Sequence, residues 1–164
     1  MQISTKIETA FNEQIREELE SAYIYLSMAA YFEAENLPGM AHWMRAQSQE
    51  EVEHAMKFFE HITERGGRVQ LKALNAPPVD FGGALDAFQK ALEHEQHITR
   101  RIHDLYRLST EENDYASLSM LQWFIDEQVE EEANVGQAVE MLKLAGDKGH
   151  ALLMMDRQLA QRSA

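Results

Sequence analysis

The sequence predicts an all-α fold, a four-helix bundle with one long crossover loop and a short fifth helix near the C-terminal end. The three prolines lie at positions 38, 77 and 78, and most of the eight glycines cluster at a few joints. Between these joints, apolar residues recur at alternating three- and four-residue steps, which is typical of bundle helices. The one long connection, residues 66–82, can extend over roughly 50 Å, whereas a helix of about 27 residues is roughly 40 Å long.

The joints divide the chain into five predicted helices. They cover about Thr5–Glu35, Gly39–Arg65, Gly83–Ser109, Asp114–Ala145 and His150–Gln161. Helices joined by short turns lie antiparallel, so the first pairs with the second and the third with the fourth. The long loop can run the length of the bundle, which would make the second and third helices parallel.

Local signals support the starts and ends of these helices. Thr5 and Glu8 have the spacing of a capping box that opens the first helix. Pro38-Gly39 indicates the turn between the first two helices. The short fifth helix is amphipathic, so we expect it to pack outside the four-helix core, where a subunit contact is one option.

Composition excludes several classes of protein. The net charge of −13 would repel nucleic acid, and the absence of cysteine excludes disulfides, thiolate zinc sites and iron–sulfur clusters. The longest uncharged run, residues 21–32, has 12 residues and is too short to span a bilayer. Charged residues near the N-terminus do not fit a secretory signal. We therefore expect one domain over residues 1–164, a cytoplasmic location, and neither nucleic acid nor membrane as a partner.

Each apolar stripe of the four long helices is interrupted near its midpoint by a carboxylate. The interrupting residues are Glu18, Glu51, Glu95 and Glu131, and His54 lies one turn after Glu51 on the same face. Burying an ionised group costs several kcal/mol unless its charge is compensated, and the stripes contain no lysine or arginine. Two divalent cations would balance four carboxylates. Oxygen ligands with one imidazole suit Fe(II), Mn(II) or Zn(II), and paired carboxylates favour a di-iron centre.

Other chemically active residues have weaker signals. Glu50, Glu127 and Glu130 only flank the stripes, so spacing alone favours exposed positions for them. The remaining histidines have no partners at metal-ligand spacing, and we expect surface or rim positions for His42, His61, His94, His97, His103 and His150. Most methionines and aromatic residues fall at core positions.

Several segments together resemble the ferritins, specifically the non-haem ferritins of bacteria and archaea, over essentially the full length. The matching features are Asn12-Glu13-Gln14 with Glu18 and Tyr25, Gln49-Glu50-Glu51-Val52-Glu53-His54, His94-Glu95, Trp123-Phe124, and Asp126-Glu127-Gln128-Val129-Glu130-Glu131-Glu132. Pro77-Pro78 and Ala145-Gly146 also fit the family pattern. The resemblance implies the ferritin-like bundle that the helix pattern predicts independently.

The resemblance also implies a role for each matching residue in binding iron. Glu18 and His54 would bind the first iron, Glu51 would bridge the two irons, and Glu95 with Glu131 would bind the second. Together these residues would form a di-iron ferroxidase centre within one chain.

Further residues match positions around that centre. Gln128 would lie beside the second iron or the bound oxygen species, and Tyr25 matches a tyrosine that can supply an electron. Glu50, Glu127 and Glu130, together with Glu131, match a nearby third iron site of bacterial ferritins.

Two departures from relatives are informative. The general di-iron pattern has a second Glu-x-x-His, whereas this chain has Gln128-x-x-Glu131, so we expect a weaker second site through which iron passes. Bacterioferritins resemble this chain but bind haem through a methionine next to the bridging glutamate, where this chain has Val52. Haem binding is therefore not expected.

The resemblance implies iron storage and detoxification by oxidation of Fe(II) with O₂ or H₂O₂. The ferric product would be held as a hydrous oxide inside a hollow homo-oligomeric shell, usually of 24 chains. A rubrerythrin-like di-iron oxidase or peroxidase is the alternative. A DNA-protecting shell like the starvation ferritins is disfavoured by the charge and by a ligand set contained in one chain.

Overall fold

The computed structural model describes residues 1–146 and 149–162, and these ranges form five α-helices with no β-strand. The helices are α1 (Thr5–Ala34), α2 (Pro38–Glu64), α3 (Ala84–Glu111), α4 (Tyr115–Ala145) and α5 (Gly149–Leu159). Every predicted boundary lies within two residues of the observed one. The predicted all-α class and helix order are confirmed. None of the described helices combines the length and the apolar character needed to cross a membrane.

The structure corrects two predicted helix starts. Ser4, not Thr5, caps α1, because its Oγ accepts a hydrogen bond from the Ile7 backbone N–H at 3.3 Å. α2 begins at Pro38 instead of Gly39, since proline suits the first helical position, where the missing N–H would be unpaired in any case. Thr5 and Gly39 are therefore helical residues.

The long connection, residues 65–83, crosses from one end of the bundle to the other along α1. Asn12 donates a hydrogen bond to the loop at the Arg68 carbonyl (3.0 Å), and Glu20 accepts one from the Asn75 backbone N–H (2.9 Å). Further along α1, Ser27 donates to a later carbonyl of the same loop, at Pro78. The loop and α1 therefore run in the same direction, which makes α2 and α3 parallel as predicted.

The apolar core consists of two separate clusters, one toward each end of the bundle. Each cluster draws buried residues from all four long helices. The first includes Phe32, Met44, Phe88 and Val135, and the second includes Phe11, Phe58, Ile98 and Phe124. Between them lies a layer of buried polar side chains, which contains the mid-helix interruptions of the sequence pattern.

The helix α5 packs on α2 and α4 of its own chain. Met155 is buried in the first apolar cluster, and Leu152 and Leu159 pack against it. Asp156 accepts a hydrogen bond from the Met40 backbone N–H at 2.8 Å and so caps the start of α2. A Cβ on Gly39 would lie 1.8 Å from the Asp156 carbonyl oxygen, so this close approach requires glycine. The fifth helix is thus held by its own bundle, as a layer outside the four-helix core.

Candidate metal centre

The polar layer holds the five side chains that the stripe pattern selects. Each is at most 4% exposed, and the set is Glu18 on α1, Glu51 and His54 on α2, Glu95 on α3 and Glu131 on α4. They converge because α-helical spacing directs each of them inward at the same depth of the bundle. Every long helix therefore contributes at least one carboxylate to the layer.

Two groups, one within this layer and one that extends from it to the half-buried Glu127, have the spacing of a metal site. Glu18, Glu51 and His54 each offer a ligand atom, and these three atoms lie within 4.8 Å of one another. His54, Glu127 and Glu131 form a second such group at the same spacing. Carboxylate oxygens and an imidazole nitrogen suit divalent iron, manganese or zinc. The two groups share His54, so the candidate sites are adjacent.

Gln47 connects the carboxylates of the two groups. Its Nε2 donates to Glu51 Oε1 and to Glu131 Oε2, both at 2.9 Å. Gln14 performs a similar function on α1, where its Nε2 donates to Glu18 Oε1 at 2.9 Å. Both glutamines precede a carboxylate by four residues, so they lie one turn away on the same helix face. These hydrogen bonds orient the carboxylates.

One carboxylate oxygen has no such partner. Glu18 Oε2 is buried and has no hydrogen-bond partner among the described residues. Burying a carboxylate oxygen that accepts no hydrogen bond costs more free energy than burying one that is hydrogen-bonded. A bound cation would remove this cost. Its position beside Glu51 and His54 makes this oxygen available as a ligand.

Glu95 is held from two sides by the predicted Tyr25 and Gln128. The Tyr25 hydroxyl donates to Glu95 Oε1, and Gln128 Nε2 donates to Glu95 Oε2 at 3.2 Å. Tyr25 is fully buried and Gln128 is 3% exposed. Burial is the main cause that raises the pKa of Tyr25, and the negative charge of Glu95 is the second. The hydroxyl therefore stays protonated and acts as the hydrogen-bond donor to Glu95.

Burial favours the protonated form of three carboxyls in the layer. It raises the pKa of Glu18 to about 8 and that of Glu131 to about 7, and the charge of Glu51 adds to both shifts. The pKa of Glu95 is raised well above its usual range by burial and then by the charges of Glu51 and Glu131. In the absence of a metal, protons therefore compensate part of the buried charge.

Glu51 and His54 behave as an ion pair. Burial alone would raise the pKa of Glu51, but the hydrogen bond and positive charge of His54 outweigh it and lower that pKa. Burial would likewise lower the pKa of His54, yet the contact with Glu51, at 3.4 Å between Nδ1 and Oε2, raises it to about 9. The layer thus contains one internal ion pair and three carboxyls whose pKa values are raised.

The residues implied as a third iron site lie in different surroundings. Glu127 is half-buried and belongs to the group with His54 and Glu131. Glu50 is half-buried and forms a salt bridge with Arg162. Glu130 is exposed and belongs to neither group.

The sequence pattern gave no role to three residues that support this layer. Gln14 and Gln47 fall on the stripes, and the four-residue interval to Glu18 and Glu51 is the signal that could have identified them as donors. His94 is half-buried, which agrees with the rim position expected for it. The spacing of the sequence did not reveal that His94 Nε2 lies 2.6 Å from Ser21 Oγ. That contact holds α3 against α1 one residue from Glu95.

Comparison with known proteins agrees with this geometry. A family model described as a ferritin-like domain matches residues 8–145, which is most of the chain. The chain belongs to the ferritin family. The resemblance stated from its motifs is confirmed.

Curated ferritins match this ferritin along its full length. The bacterial non-heme ferritin of Bacteroides fragilis (strain 638R) is 41% identical over 160 residues, which cover 98% of this chain and 99% of the relative. That of Staphylococcus aureus (strain MRSA252) is 36% identical over 161 residues, which cover 98% of this chain and 97% of the relative.

Solved ferritin structures have the same fold. An open pore ferritin from the hyperthermophilic archaeon Archaeoglobus fulgidus superposes with a TM-score of 0.97 at 48% identity, over 98% of this chain and 99% of that one. A closed form of the Archaeoglobus fulgidus ferritin, engineered by site-directed mutagenesis, also gives 0.97 at 48% identity, over 98% of both chains. The ferritin bundle with a short C-terminal helix is therefore confirmed.

Proposed function

We propose that this ferritin stores iron: residues 1–164 form one domain that oxidises Fe(II) with O₂ and retains the Fe(III) as a hydrous oxide mineral. The mineral would fill a hollow shell of identical chains, 24 in number by analogy with the family. Family membership and the non-heme ferritin names of the curated relatives support iron storage.

The observation that carries the proposal is a buried layer of four carboxyl groups that has no lysine or arginine partner among the described residues and that depends on protons and one histidine for charge compensation. Four carboxylates lie there with a single histidine, and among the described residues no lysine or arginine forms a salt bridge with them. Two Fe(II) ions bring the opposite charge of four carboxylates. The unpartnered oxygen of Glu18 supports a cation at that position. Divalent cations would thus complete the charge balance of this layer, and family membership supports iron as the metal.

The family resemblance supplies the roles. Glu18 and His54 would bind the first iron, Glu51 would be shared by both ions, and Glu95 with Glu131 would bind the second. The spacing within the group of Glu18, Glu51 and His54 supports the first half of this assignment.

Outside these ligands, Gln128 holds Glu95 beside the second iron through its amide. Tyr25 donates a hydrogen bond to the same carboxylate, and by family resemblance it would supply an electron. Glu127, Glu50 and Glu130 receive a third iron with Glu131.

The chemistry of the centre is a two-electron transfer. Each of two Fe(II) ions loses one electron and dioxygen receives both, so the protein must hold the two ions close together. Binding of iron also displaces the protons that Glu18, Glu95 and Glu131 hold in the metal-free layer. The burial of all these groups keeps water from competing for the ligand positions.

The second site should release its iron more readily than the first. Its helix presents Gln128-x-x-Glu131 in place of Glu-x-x-His, so an imidazole ligand is missing there. Iron would then pass through the centre to the mineral. Replacement of both residues, Gln128→Glu with Glu131→His, should slow mineral growth at many irons per chain. Unchanged mineralisation by this double variant would contradict the idea of a labile second site.

The decisive experiment adds Fe(II) in air, at many equivalents per chain, to the metal-free protein and follows iron and protein through a size-exclusion column. Iron far beyond two ions per chain, travelling with a very large assembly, is the expected result. Saturation near two ions per chain on a small oligomer would instead support a di-iron oxidase or peroxidase that keeps its metal.

A variant pair tests the proposed bridge. Glu51→Ala should lose fast Fe(II) oxidation, measured by stopped-flow absorbance, while its assembly on the column stays that of the parent. Glu53→Ala is the matched control, since Glu53 is exposed on the same helix. Fast oxidation by the Glu51→Ala variant would remove Glu51 from the bridging role.

A further inference from the structure

Arg162 reaches from the C-terminal side of α5 to Glu50, one of the residues proposed for the third iron site. Its Nη2 forms a salt bridge with Glu50 Oε2, in which the arginine side chain is 17% exposed and the glutamate side chain 36%. The sequence pattern does not reveal this pair, because the two residues are 112 positions apart.

Two further contacts fix the arginine in this position. Its guanidinium lies over the ring of Trp43, 4.4 Å from the centroid, in a cation–π arrangement. The His42 Nε2 lies 2.9 Å from the Arg162 carbonyl oxygen. Trp43 and Glu50 are seven residues apart on α2 and share one face, so the side chain of Arg162 follows that face from the ring to the carboxylate.

The fifth helix itself is anchored just before this residue. Asp156 caps α2 at Met40, and the glycine at position 39 allows the two backbones to meet. Arg162 therefore approaches Glu50 as part of a docked element.

We propose that Arg162 is a built-in counter-ion that competes with iron for Glu50 and thereby limits occupancy of the third iron site while α5 is docked. The inference rests on the proposed function, because it concerns the third iron site assigned there. The guanidinium compensates the negative charge of Glu50 and holds its Oε2, which leaves only Oε1 for a metal ion. Glu50 therefore binds Fe(II) more weakly while the salt bridge to Arg162 is intact, and it becomes a stronger ligand when the arginine moves.

The contacts of Arg162 are strong enough for it to compete with iron for Glu50, but weak enough for iron to displace it. Its other terminal nitrogen, Nη1, is buried without a hydrogen-bond partner among the described residues. Among the described residues, the guanidinium thus forms a salt bridge with one carboxylate, that of Glu50. A single salt bridge that is partly exposed to solvent is a weak interaction. Arg162 is a specificity-determining residue for the third position, and among the described residues its salt bridge is to Glu50.

The test is calorimetric titration of the metal-free full-length protein with Fe(II) under anaerobic conditions. In the parent protein, two ions should bind per chain, followed by a weaker third. Arg162→Gln removes the charge and keeps a side chain able to form a hydrogen bond, and it should tighten the third binding step about fivefold. Arg162→Lys keeps the charge and should resemble the parent.

Arg157→Gln provides the matched control, because Arg157 is exposed on α5 and its replacement changes the net charge equally. Equal effects of the Arg162→Gln and Arg157→Gln variants would overturn the proposal, as would a third step that is unchanged or weaker in the Arg162→Gln variant. Failure of the parent protein to bind the first two ions would instead refute the proposed two-iron centre. The two failures are thus distinguishable within one titration.

Discussion

Replacing Glu18 by glutamine should stabilise the metal-free protein at neutral and alkaline pH. Burial, aided by the charge of Glu51, raises the pKa of Glu18 from 4.5 to about 8. The folded protein thus binds this proton more tightly than the unfolded chain. The stability contributed is fully present below pH 4.5 and is lost as the pH rises through 8.

The size of the effect follows from the same shift. Between pH 4.5 and pH 7 the wild-type protein loses on the order of 3 kcal/mol through Glu18. Glutamine does not ionise, and its amide oxygen can still accept the hydrogen bond that Gln14 donates at 2.9 Å to Glu18. For a chain of this size the variant should therefore melt about 5 to 10 °C higher than the parent at pH 7, with a smaller difference at pH 5.

Thermal unfolding followed by circular dichroism, with a chelator present, at pH 5, 7 and 9 measures this difference. Glu53→Gln is the control, since it removes one carboxylate from an exposed position on α2. Addition of Fe(II) without oxygen should then stabilise the parent more than the Glu18→Gln variant, because the variant lacks a ligand. A melting-temperature difference that does not grow from pH 5 to pH 9 would refute the argument that this buried carboxylate is costly when ionised.

Three other predictions address α5, the tyrosine and proton release. Gly39→Ala should detach α5, because the new Cβ would lie 1.8 Å from the Asp156 carbonyl oxygen; limited proteolysis should cut the chain faster beyond α4, and an unchanged rate would contradict this. Tyr25→Phe should remove the hydrogen bond to Glu95, which is worth about 1 kcal/mol of stability. It should also abolish any tyrosyl radical seen by freeze-quench electron paramagnetic resonance during iron oxidation. A radical that persists in this variant would belong to another tyrosine. Fe(II) binding should release protons and strengthen from pH 5 to pH 8, because the pKa of Glu131 is raised to about 7 mainly by burial; a pH-stat titration measures this, and an affinity independent of pH would count against it.

The helix boundaries and the buried layer could be predicted from sequence because both depend on local periodicity. A carboxylate at the midpoint of an apolar stripe faces inward on any straight helix, and matching depth on four helices brings Glu18, Glu51, Glu95 and Glu131 together. The Glu51-x-x-His54 spacing follows from the same geometry. Motif resemblance was needed for residues that flank the stripe, such as Glu127, and for the individual roles of residues on it, such as Tyr25 and Gln128.

The remaining contacts could not be predicted, because they depend on how separate elements dock. Nothing in the spacing of Glu50 indicates that Arg162 reaches it, and the role of Gly39 depends on the approach of Asp156. The first helix is capped by Ser4 although Thr5 had the capping-box spacing, since both residues can cap and only the backbone path decides.

The division of the apolar core into two clusters has a consequence for how this sequence can change. Phe32 and Phe88 in one cluster are separated from Phe58 and Phe124 in the other by a full layer of polar side chains. Substitutions in different clusters share no partners, so their effects on folding free energy should add. Each end of the bundle can therefore acquire its own set of large and small side chains over time, while the intervening layer keeps its geometry.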